Sequence, residues 1–504
     1  MSYHKKEINK ILVANRGEIA LRIMRTIREM GKKSVAIYSD VDVTMPFVRY
    51  ADEAFPLNGN EARDTYLNIE KIISAAREAN AEAIHSGYGF LSENPQFAQE
   101  VEKEKMVFIG PGYEAIKSMG NKTEARKLVN SHGVPIVPGT QEPIRNLRSG
   151  KEAAHKIGYP VLIKAAAGGG GKGMRLVNEE SEFDTCMRAA QLESLSAFGD
   201  DRVFIEKYIV NPRHIEFQIL ADKFGNLVHL FERECSIQRR YQKVIEETPS
   251  AALTQGLREE MGNAAINAAR ACGYVNAGTI EFILDEKGEY YFLEMNTRLQ
   301  VEHPITELTT GIDIVREQIK IAEGDPLGFS QSEVKRRGHS IECRICAEDV
   351  SNNFLPDTGT LKMLREPSGG GVRVDSGVEI GNYISVYYDA MIAKLCVWDE
   401  SREGAIKKML RALNDYKIIG VKSTIPFCKY VLESGDFKEG KYSTRFVEKN
   451  WTRFGVETER IAEDNLELAI IVAASVLKNK SSRMLNGGPT NKDKSKWRDG
   501  RFEG

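Results

Sequence analysis

Short apolar runs and amphipathic stretches alternate along the first 120 residues of the chain. The run ILVA (11–14) predicts a strand, the apolar spacing over 18–30 predicts a helix, and SVAIYSD (34–40) predicts a second strand. Two further apolar runs, AEAIHSGYGF and KMVFIGPG, end in glycine-rich turns. This alternation predicts an open parallel α/β sheet over residues 1–120, and ligands of such sheets bind at the carboxyl ends of the strands.

The pattern changes near residue 140, where short strands predominate. The runs VLIKAA, GMRLV and VFIEKYI predict three strands, and the segment 180–195 between them predicts a helix. Together they predict a small α+β module that would act as a mobile lid. A third region, 213–450, is rich in predicted strands and carries most of the charged residues that stand at strand ends, so we expect the active site there. The predicted domains are residues 1–120, 121–330 with the lid at 138–208, 331–450, and a tail at 451–504 that is helical over 459–477 and then basic and disordered.

Composition narrows the classes of function. The 70 basic residues are balanced by 72 acidic ones, so no overall positive charge attracts nucleic acid, and nucleic acid is not an expected partner. The sequence has no apolar run near the roughly 20 residues of a membrane span, and its start has no signal-peptide layout. A membrane partner is therefore not expected, and the expected location is the cytoplasm.

Seven cysteines are scattered along the chain, and this odd number is typical of a reducing compartment rather than of a disulfide framework. Only Cys343 and Cys346 form a CxxC pair. The sequence around them offers neither the second CxxC nor the histidines that a zinc site requires. We therefore expect Cys343 to pack within a strand.

A glycine-rich segment, AAAGGGGKGMR, runs from Ala165 to Arg175 between two predicted strands. Glycines allow backbone N–H groups to approach phosphate oxygens, and Lys172 adds a positive charge. The spacing does not match a P-loop, because Ala166 stands at the first glycine position and Gly173 follows the lysine. The prediction is a flexible flap over phosphates, with a plain hairpin loop as the alternative, and Lys164 would reach the same phosphates.

The segment TIEFILDEKGEYYFLEMNTR predicts a β-hairpin, because two β-rich runs flank a Lys-Gly turn. Pairing about the turn at 287–288 sets Glu281 directly opposite Glu294. Two carboxylates that face each other across a sheet repel unless a cation lies between them, and with Asn296 close by their oxygens suit Mg²⁺. The hairpin therefore predicts a magnesium site, whereas a three-residue loop would shift the register and separate the pair.

Immediately downstream, the segment 296–304 packs arginine, glutamine, glutamate and histidine into a short stretch. The planar guanidinium of Arg298 matches a small planar anion such as bicarbonate, and Glu302 is placed to remove a proton from it. A solvated loop is the alternative. A second basic cluster, CSIQRRYQK (235–243), is also suited to anions, with a surface run of charge as its alternative.

Taken in their order and spacing, these motifs resemble the biotin carboxylase family from about residue 7 to about residue 450. RLQVEHP and CSIQRR resemble the carboxylating members of the wider ATP-grasp group. The resemblance implies a mixed α/β and α+β architecture: an ATP-grasp fold with a parallel N-terminal α/β domain, a glycine-rich lid and a C-terminal carboxylase domain. The segments that carry it are ILVANRGEIALRI, IHSGYGFLSEN, GNK, IKAAAGGGGKGMR, EKYI, NPRHIE, ECSIQRRYQK, GTIEF, LEMNTRLQVEHP, ECRICAED and YYDAMIAKL.

The resemblance also implies roles for individual residues. Biotin would lie near Tyr88, and Arg344 would stabilise its oxyanion. Magnesium or manganese would be held by Glu281, Glu294 and Asn296. The residues implied to hold bicarbonate are Lys243, Arg298, Gln300 and Val301, with Glu302 as the base. The residues implied to bind ATP are Lys122, Lys164, Gly170, Gly171, Lys172, Glu206, Lys207, Ile209, His214, Gln238, Tyr241, Glu281, Ile283 and Glu294.

The implied reaction is the ATP-dependent carboxylation of biotin carried on another protein, with carboxyphosphate as the intermediate that releases CO₂. The expected partners are a biotin carboxyl carrier protein or domain, a second copy of this chain and a carboxyltransferase subunit. No AMKM-like carrier motif is found, so biotin is expected on a separate chain. The expected acceptor is acetyl-CoA or propionyl-CoA, and a split pyruvate carboxylase is the alternative.

Some positions depart from the family pattern. Tyr241 stands where histidine is frequent, Lys172 where arginine is common, IHSG replaces IHPG, and Cys346 has no assignable task. Two other classes of function stay open: a different ATP-grasp ligase, such as a carbamoyl phosphate or purine-pathway enzyme, and a catalytically silent nucleotide-binding scaffold. The complete set of predicted charged residues argues against the scaffold.

Overall fold

The structure is a computed structural model that describes residues 5–166, 174–198 and 200–450. Its contacts divide the chain into residues 1–449 and 450–504. The predicted tail helix over 459–477 and the basic segment after it lie outside the described residues. Gly170, Gly171 and Lys172 of the glycine-rich flap also lie outside them.

The N-terminal part forms a sheet whose strands are all parallel. The strands are β1 (Lys10–Val13), β2 (Lys33–Tyr38), β3 (Glu53–Pro56), β4 (Ala83–His85) and β5 (Val107–Ile109). Their order in the sheet is β3-β2-β1-β4-β5. This arrangement confirms the predicted open parallel α/β sheet.

Helices cover both faces of this sheet. They are α1 (Gly17–Glu29), α2 (Pro46–Tyr50), α3 (Ile69–Glu78), α4 (Pro95–Lys103) and α5 (Tyr113–Gly120), whereas the following helix α6 (Lys122–Ser131) packs in a different core. In α1, Ile19, Ile23 and Ile27 recur at every fourth position, so they share one buried face of the helix. That face packs in the same core as Ile11 of β1, whereas Leu12 packs with α3 and α4 on the opposite face of the sheet.

The lid is a small α+β module with its own core. Its elements are α7 (Leu147–Ile157), β6 (Val161–Ala165), β7 (Arg175–Val177), α8 (Phe183–Phe198) and β8 (Val203–Lys207), and the strands pair antiparallel in the order β7-β6-β8. Ile163 of β6 packs against Phe183 and Met187 of α8. Gly150 lets α7 approach α8 closely, because a Cβ atom there would lie 2.7 Å from the sulfur of Met187. The predicted helix over 180–195 is thus observed as α8.

The remaining described chain is dominated by long strands. Its first half contains β9 (Arg213–Ala221), β10 (Leu227–Arg239), β11 (Gln242–Thr248), α9 (Gln255–Ala271), β12 (Asn276–Leu284), β13 (Tyr290–Asn296), α10 (His303–Thr310) and α11 (Ile314–Glu323). Its second half contains β14 (His339–Cys346), β15 (Glu348–Asp349), β16 (Leu355–Pro356), β17 (Gly359–Thr360), β18 (Met363–Arg365), β19 (Val372–Ser376), β20 (Tyr383–Ile384), β21 (Met391–Asp399), α12 (Arg402–Asp415), β22 (Lys417–Ile419), α13 (Ile425–Glu433) and α14 (Gly435–Lys438).

Eight of these strands form one antiparallel sheet in the order β13-β12-β9-β10-β11-β14-β21-β19. The pairing of β11 with β14 carries the sheet without interruption across residue 331, where the sequence predicts a domain boundary. Cys343 is buried within β14 and unpaired, as expected of a cysteine that packs in a strand. Among the described residues, no helix combines the length and the apolar character that crossing a membrane requires.

The hairpin of β12 and β13 places Glu281 directly opposite Glu294, as predicted. The two-residue turn assumed for this pairing is wrong, because residues 285–289 connect the strands and Leu284 pairs with Tyr290. This longer turn alone would displace Glu281 by one position. A β-bulge between Glu281 and Phe282 absorbs one extra residue of β13, Leu293, and restores the pairing of the two carboxylates.

Candidate active site

Lys243 of β11 lies at the centre of a buried cluster of carboxylates. Its Nζ atom lies 2.5 Å from an oxygen of Glu216, 2.9 Å from Glu281 and 2.6 Å from Glu302. Burial disfavours the charged lysine, but the three carboxylates raise its pKa well above its usual value. Three residues predicted from separate motifs, Lys243, Glu281 and Glu302, are therefore brought into contact.

Two members of this cluster, Glu216 and Arg233, are not among the predicted residues. Arg233 is fully buried, and its Nε atom lies 2.5 Å from Glu216. Its Nη1 atom donates to Oε1 of Gln218 at 2.9 Å and to Oγ1 of Thr306 at 3.0 Å. The signal was available in the sequence, because His214, Glu216 and Gln218 alternate along β9 and so point to one side of the sheet.

Glu302 links the cluster to Arg344 of β14. Nη2 of Arg344 lies 3.0 Å from Oε2 of Glu302, while Nε of Arg344 lies 2.6 Å from Glu246. Burial opposes the ionisation of Glu302, but the charges of Lys243 and Arg344 hold its pKa well below its usual range. Glu302 is thus a fixed carboxylate, and each of its oxygens contacts a cation.

Two neighbouring carboxyl groups, those of Glu246 and Glu216, have raised pKa values instead. Burial raises the pKa of Glu246 to about 7 against the charge of Arg344. Burial and the charge of Glu302 also raise the pKa of Glu216. The environments therefore separate the carboxyl groups into ionised ones and more readily protonated ones, a division typical of sites that transfer protons.

Arg298 lies in the loop between β13 and α10. Its Nε atom donates to Glu93 at 3.1 Å, and its Nη1 and Nη2 atoms donate to Gln300 at 3.1 Å and Asn296 at 3.0 Å. Gln300 in turn donates to Glu281 at 3.2 Å. The predicted anion-binding loop is therefore connected to the Lys243 cluster through one amide side chain.

The lid contributes a second set of charges. Lys164 of β6 forms an ion pair with Glu206 of β8, and Arg126 of α6 lies 2.8 Å from the other oxygen of Glu206. Burial opposes the ionisation of Glu206, but these two cations lower its pKa. Lys207 donates to the carbonyl oxygen of Gly158 at 2.8 Å, so its charge is used within the lid.

His214 and Gln238 connect the predicted nucleotide residues to the cluster. Nε2 of His214 lies 3.1 Å from Oε2 of Glu281, and Nδ1 of His214 lies 3.1 Å from Nε2 of Gln238. Lys122, at the start of α6, lies 3.1 Å from Glu294. Residues predicted to bind the nucleotide therefore contact both carboxylates of the hairpin, Glu281 and Glu294.

Three other predicted nucleotide residues lie outside this network of contacts. Ile209 follows β8, and Ile283 lies on β12. Both are half-buried. Tyr241 occupies the turn between β10 and β11 with 92% of its surface exposed. The structure does not bring this tyrosine into contact with the charged cluster.

The oxygen atoms on the hairpin fit a magnesium ion. Glu281 and Glu294 face each other on β12 and β13, and the amide of Asn296 lies at the end of β13. Hard oxygen ligands of this kind are the ones that Mg²⁺ prefers. The Nδ2 atom of Asn296 is buried without a hydrogen-bond partner among the described residues, while its Oδ1 atom accepts a hydrogen bond from Arg298.

A cavity of about 580 Å³ opens beside the Lys243 cluster. Lys243, Arg298 and Arg344 line it, together with Tyr88 from the loop after β4. The hydroxyl of Tyr88 is buried and has no hydrogen-bond partner among the described residues. Cys346 also lines the cavity. The residues predicted to bind biotin thus share one cavity with those predicted to bind bicarbonate, except Gln300, which does not line it. The cavity lies at the carboxyl end of a parallel strand.

A second buried lysine, Lys394 of β21, was not singled out in the sequence. Its Nζ atom lies 3.1 Å from Glu18 and 3.9 Å from Asp375, and it donates to the carbonyl oxygen of Val301 at 3.1 Å. Burial raises the pKa of Glu18 to about 7, although Lys394 opposes this shift. Lys394 therefore fixes the peptide of Val301, one of the residues predicted to hold bicarbonate.

Comparison with known proteins agrees with this geometry. Three family models match: the biotin carboxylase N-terminal domain over residues 7–116, the ATP-binding domain of the carbamoyl-phosphate synthase L chain over 121–330, and the biotin carboxylase C-terminal domain over 342–449. A pyruvate carboxylase subunit of Methanothermobacter thermautotrophicus is 50% identical over 472 residues, which cover 94% of this chain and 96% of that protein. Biotin carboxylase 1 of Bacillus subtilis is 50% identical over 442 residues, which cover 88% of this chain and 98% of that protein.

Solved structures show the same similarity. The biotin carboxylase domain dimer of 2-oxoglutarate carboxylase from Hydrogenobacter thermophilus, in complex with MgADP, ADP and bicarbonate, superposes with a TM-score of 0.81 at 48% identity. The match covers 89% of this chain and 99% of that one. The fold and the site define an ATP-grasp ligase. The chain belongs to the biotin carboxylase family, and it is an ATP-dependent enzyme that uses magnesium, bicarbonate and biotin.

Proposed function

We propose that the Lys243 cluster and its cavity carboxylate biotin on a separate carrier protein, using ATP and bicarbonate. The observation that supports this proposal is the joining of Lys243, Glu302 and Arg344 by ion pairs of 2.6 and 3.0 Å at the wall of one cavity. The guanidinium of Arg298 lies at the same cavity and suits a planar anion. A substrate anion in the cavity would therefore meet three cations and one carboxylate.

In this proposal Glu302 is the base that takes the proton of bicarbonate. The contacts with Lys243 and Arg344 keep Glu302 ionised, which a base requires. Those contacts also weaken it as a base. Incoming anions would draw both cations away from Glu302 and raise its basicity at the moment the proton moves. The deprotonated bicarbonate oxygen attacks the γ-phosphoryl group, and ADP leaves. The resulting carboxyphosphate breaks down to CO₂ and phosphate. The phosphate takes the proton of the biotin ureido nitrogen, and that nitrogen attacks CO₂.

The nucleotide would lie between the lid and the hairpin. Lys164 and Lys122 would contact its phosphates, and Glu281, Glu294 and Asn296 would hold magnesium, which neutralises charge on the transferred phosphoryl group. Lys164 now forms an ion pair with Glu206, and Lys122 forms one with Glu294. Both lysines would therefore exchange a carboxylate for a phosphate when ATP binds. The other residues predicted to bind ATP would belong to the same nucleotide site.

The test is bicarbonate-dependent ATP hydrolysis by the purified chain with Mg²⁺, with and without free biotin. We expect biotin to stimulate hydrolysis, and we expect Arg298→Ala to lose this stimulation because the anion site loses its planar cation. Arg337→Ala is the matched control, because Arg337 is 78% exposed and does not line the cavity. ATP hydrolysis at the same rate with and without biotin would point to another ATP-grasp ligase. The absence of any hydrolysis would point to a scaffold.

A second question is which molecule accepts the carboxyl group from biotin. Acetyl-CoA or propionyl-CoA is the acceptor expected from the sequence, with pyruvate as the alternative. Relatives of both classes align over similar lengths: the pyruvate carboxylase subunit over 472 residues at 50% identity, and a methylcrotonoyl-CoA carboxylase subunit of Dictyostelium discoideum over 465 at 48%. Fixation of labelled bicarbonate by the complex purified from native cells, offered acetyl-CoA, propionyl-CoA, pyruvate or 2-oxoglutarate, separates these acceptors.

We further propose three partners: a carrier protein, a second copy of the chain and a carboxyltransferase subunit. The relative from Methanothermobacter is named as one subunit of its enzyme, and the structure from Hydrogenobacter is described as a dimer. The cytoplasmic location stays a prediction from the sequence. Sedimentation of the purified chain tests the dimer, and capture of a biotinylated protein from native cells tests the carrier.

A further inference from the structure

Two buried glutamates face each other beside Arg344. Glu246 of β11 pairs directly with Glu342 of β14, and neither residue has any exposed surface. Residues directly opposite each other in an antiparallel pair share one face of the sheet, with Cβ atoms about 5 Å apart, so the two carboxyl groups can reach each other. Two ionised carboxylates in this position would repel strongly, because water does not screen buried charges.

Arg344 is the cation that contacts this pair. Its Nε atom lies 2.6 Å from Oε1 of Glu246, and its Nη2 atom is already engaged by Glu302 at 3.0 Å. Oε2 of Glu342 accepts a hydrogen bond from the thiol of Cys396, a weak donor, at 3.2 Å. Oε2 of Glu246 and Oε1 of Glu342 are buried and have no hydrogen-bond partner among the described residues. Each carboxyl group of the pair therefore keeps one buried oxygen atom without a donor.

The ionisable groups around the pair have other partners or are neutral. These groups are Cys235 of β10, Lys243 of β11, Glu302 at the start of α10, and Lys394 and Cys396 of β21. Both lysines form their ion pairs with other carboxylates. Burial raises the pKa of each thiol well above its usual value, so both cysteines are neutral. The donor that the two oxygen atoms lack is thus left to a proton held by the pair itself.

We propose that Glu246 and Glu342 share one proton, which joins the two oxygen atoms without a donor, and that the pair positions Arg344 in the cavity. The inference deepens the proposed function and rests on it, because Arg344 is there one of the cations that meet the reacting anions. With the proton in place, the pair carries a single negative charge, which holds Arg344 through its Nε atom. Burial and the charge of Glu246 raise the pKa of Glu342 well above its usual value, in agreement with a retained proton.

Loss of the shared proton would change the charge at the cavity. It adds a second buried negative charge beside Arg344, which lines the cavity. The guanidinium then stabilises less well the negative charge that develops on the ureido oxygen of biotin. The reaction of biotin should therefore slow as the pH rises and the pair loses its proton.

Infrared spectroscopy of the purified chain detects the shared proton directly. A protonated carboxyl group has a C=O stretching band that a carboxylate lacks, and we expect this band at neutral pH in the difference between the wild type and Glu342→Gln. Glu246→Gln also removes the opposed charges, so the same band should appear in its difference spectrum, and this variant serves if Glu342→Gln does not fold.

Glu247→Gln is the matched control for the infrared measurement. Glu247 is the next residue of β11 and is also buried, but it pairs with His339 and Arg402. Burial opposes its ionisation, yet these two partners lower its pKa to about 2. Its removal should leave the band of the protonated carboxyl group unchanged.

Kinetics test whether the pair positions Arg344. The quantity is kcat/KM for free biotin in biotin-stimulated ATP hydrolysis, measured as a function of pH. We expect a fall on the alkaline side in the wild type. Glu342→Gln keeps a neutral donor beside Glu246 at every pH, so it should shift this fall to higher pH. Glu246→Gln removes the charge that holds Nε of Arg344, and kcat/KM for biotin should drop roughly tenfold.

Two infrared results would overturn the shared proton: a missing band in the difference spectra of Glu342→Gln and Glu246→Gln, or an equal loss of the band in Glu247→Gln. The same pH profile in the wild type and Glu342→Gln would overturn the effect of the pair on Arg344. A wild type whose ATP hydrolysis does not respond to biotin would refute the proposed function instead, and the infrared band would still decide whether the pair holds a proton.

Discussion

Two lysines are buried in the same eight-stranded sheet, and their surroundings differ. Lys243 contacts three carboxylates within 2.9 Å, and 11% of its side chain stays exposed. Lys394 has no exposed surface, and its contacts are one carboxylate at 3.1 Å, one at 3.9 Å and the carbonyl oxygen of Val301. The first lysine is placed to exchange contacts with a ligand, whereas the second is placed to hold the backbone. Exposure and the number of counter-charges, rather than burial alone, distinguish the two roles.

The largest expected effect comes from removing the first lysine. Lys243→Met leaves Glu216, Glu281 and Glu302 without their shared cation in a buried site. We expect biotin-stimulated ATP hydrolysis to fall roughly a thousandfold, the scale of losing a group that stabilises developing charge. The free energy of unfolding, measured in urea, should fall by about 3–5 kcal/mol. Lys243→Arg keeps the charge and should retain the stability, and near-normal hydrolysis in Lys243→Met would contradict the proposed role.

The surroundings of the second lysine predict a pH dependence. Because the pKa of Glu18 is about 7 in the folded chain and near its usual 4.5 when unfolded, the folded state binds more protons between these values. Stability should therefore fall as the pH rises from about 5 to about 7. Glu18→Gln should remove this fall, which amounts to at most roughly 3 kcal/mol. Urea unfolding of both proteins at several pH values measures it, and Glu246 titrates in both, so its contribution cancels. Parallel curves for the two proteins would contradict the prediction.

The sequence predicts much of the surroundings of Lys243 and little of those of Lys394. Lys243 lies in a run of basic residues, and its partner Glu281 follows from the pairing of the hairpin, so local patterns point to both. The register survives only because a β-bulge compensates for a longer turn, and no local pattern in the hairpin indicates that bulge. Lys394 reads as one polar residue in an apolar strand. Its contact with Glu18 joins residues 376 positions apart, and only the packing of α1 against the sheet brings them together.

Another prediction tests whether the second lysine positions the backbone. Lys394→Met should raise KM for bicarbonate about tenfold, corresponding to one lost contact of about 1.4 kcal/mol, with a smaller effect on kcat. The reason is that Val301 loses the donor that fixes its carbonyl oxygen. Lys408→Met is the matched control, since Lys408 also donates to a carbonyl oxygen, that of Trp398, at 2.7 Å but outside the cavity. An unchanged KM with a uniform loss of kcat would show a merely structural role for Lys394.

The smallest expected effect concerns an exposed lysine that also contacts a carboxylate of the hairpin. Lys122 lies 3.1 Å from Glu294, but 75% of its side chain and 37% of that of Glu294 are exposed. Water screens such a pair, so Lys122→Met should change the free energy of unfolding by less than about 0.5 kcal/mol. A double-mutant cycle with Glu294→Gln measures the coupling directly. A coupling of several kcal/mol would remove the distinction between exposed and buried lysines. A small coupling together with a raised KM for ATP would show that Lys122, like Lys243, exchanges a carboxylate contact for a contact with a ligand.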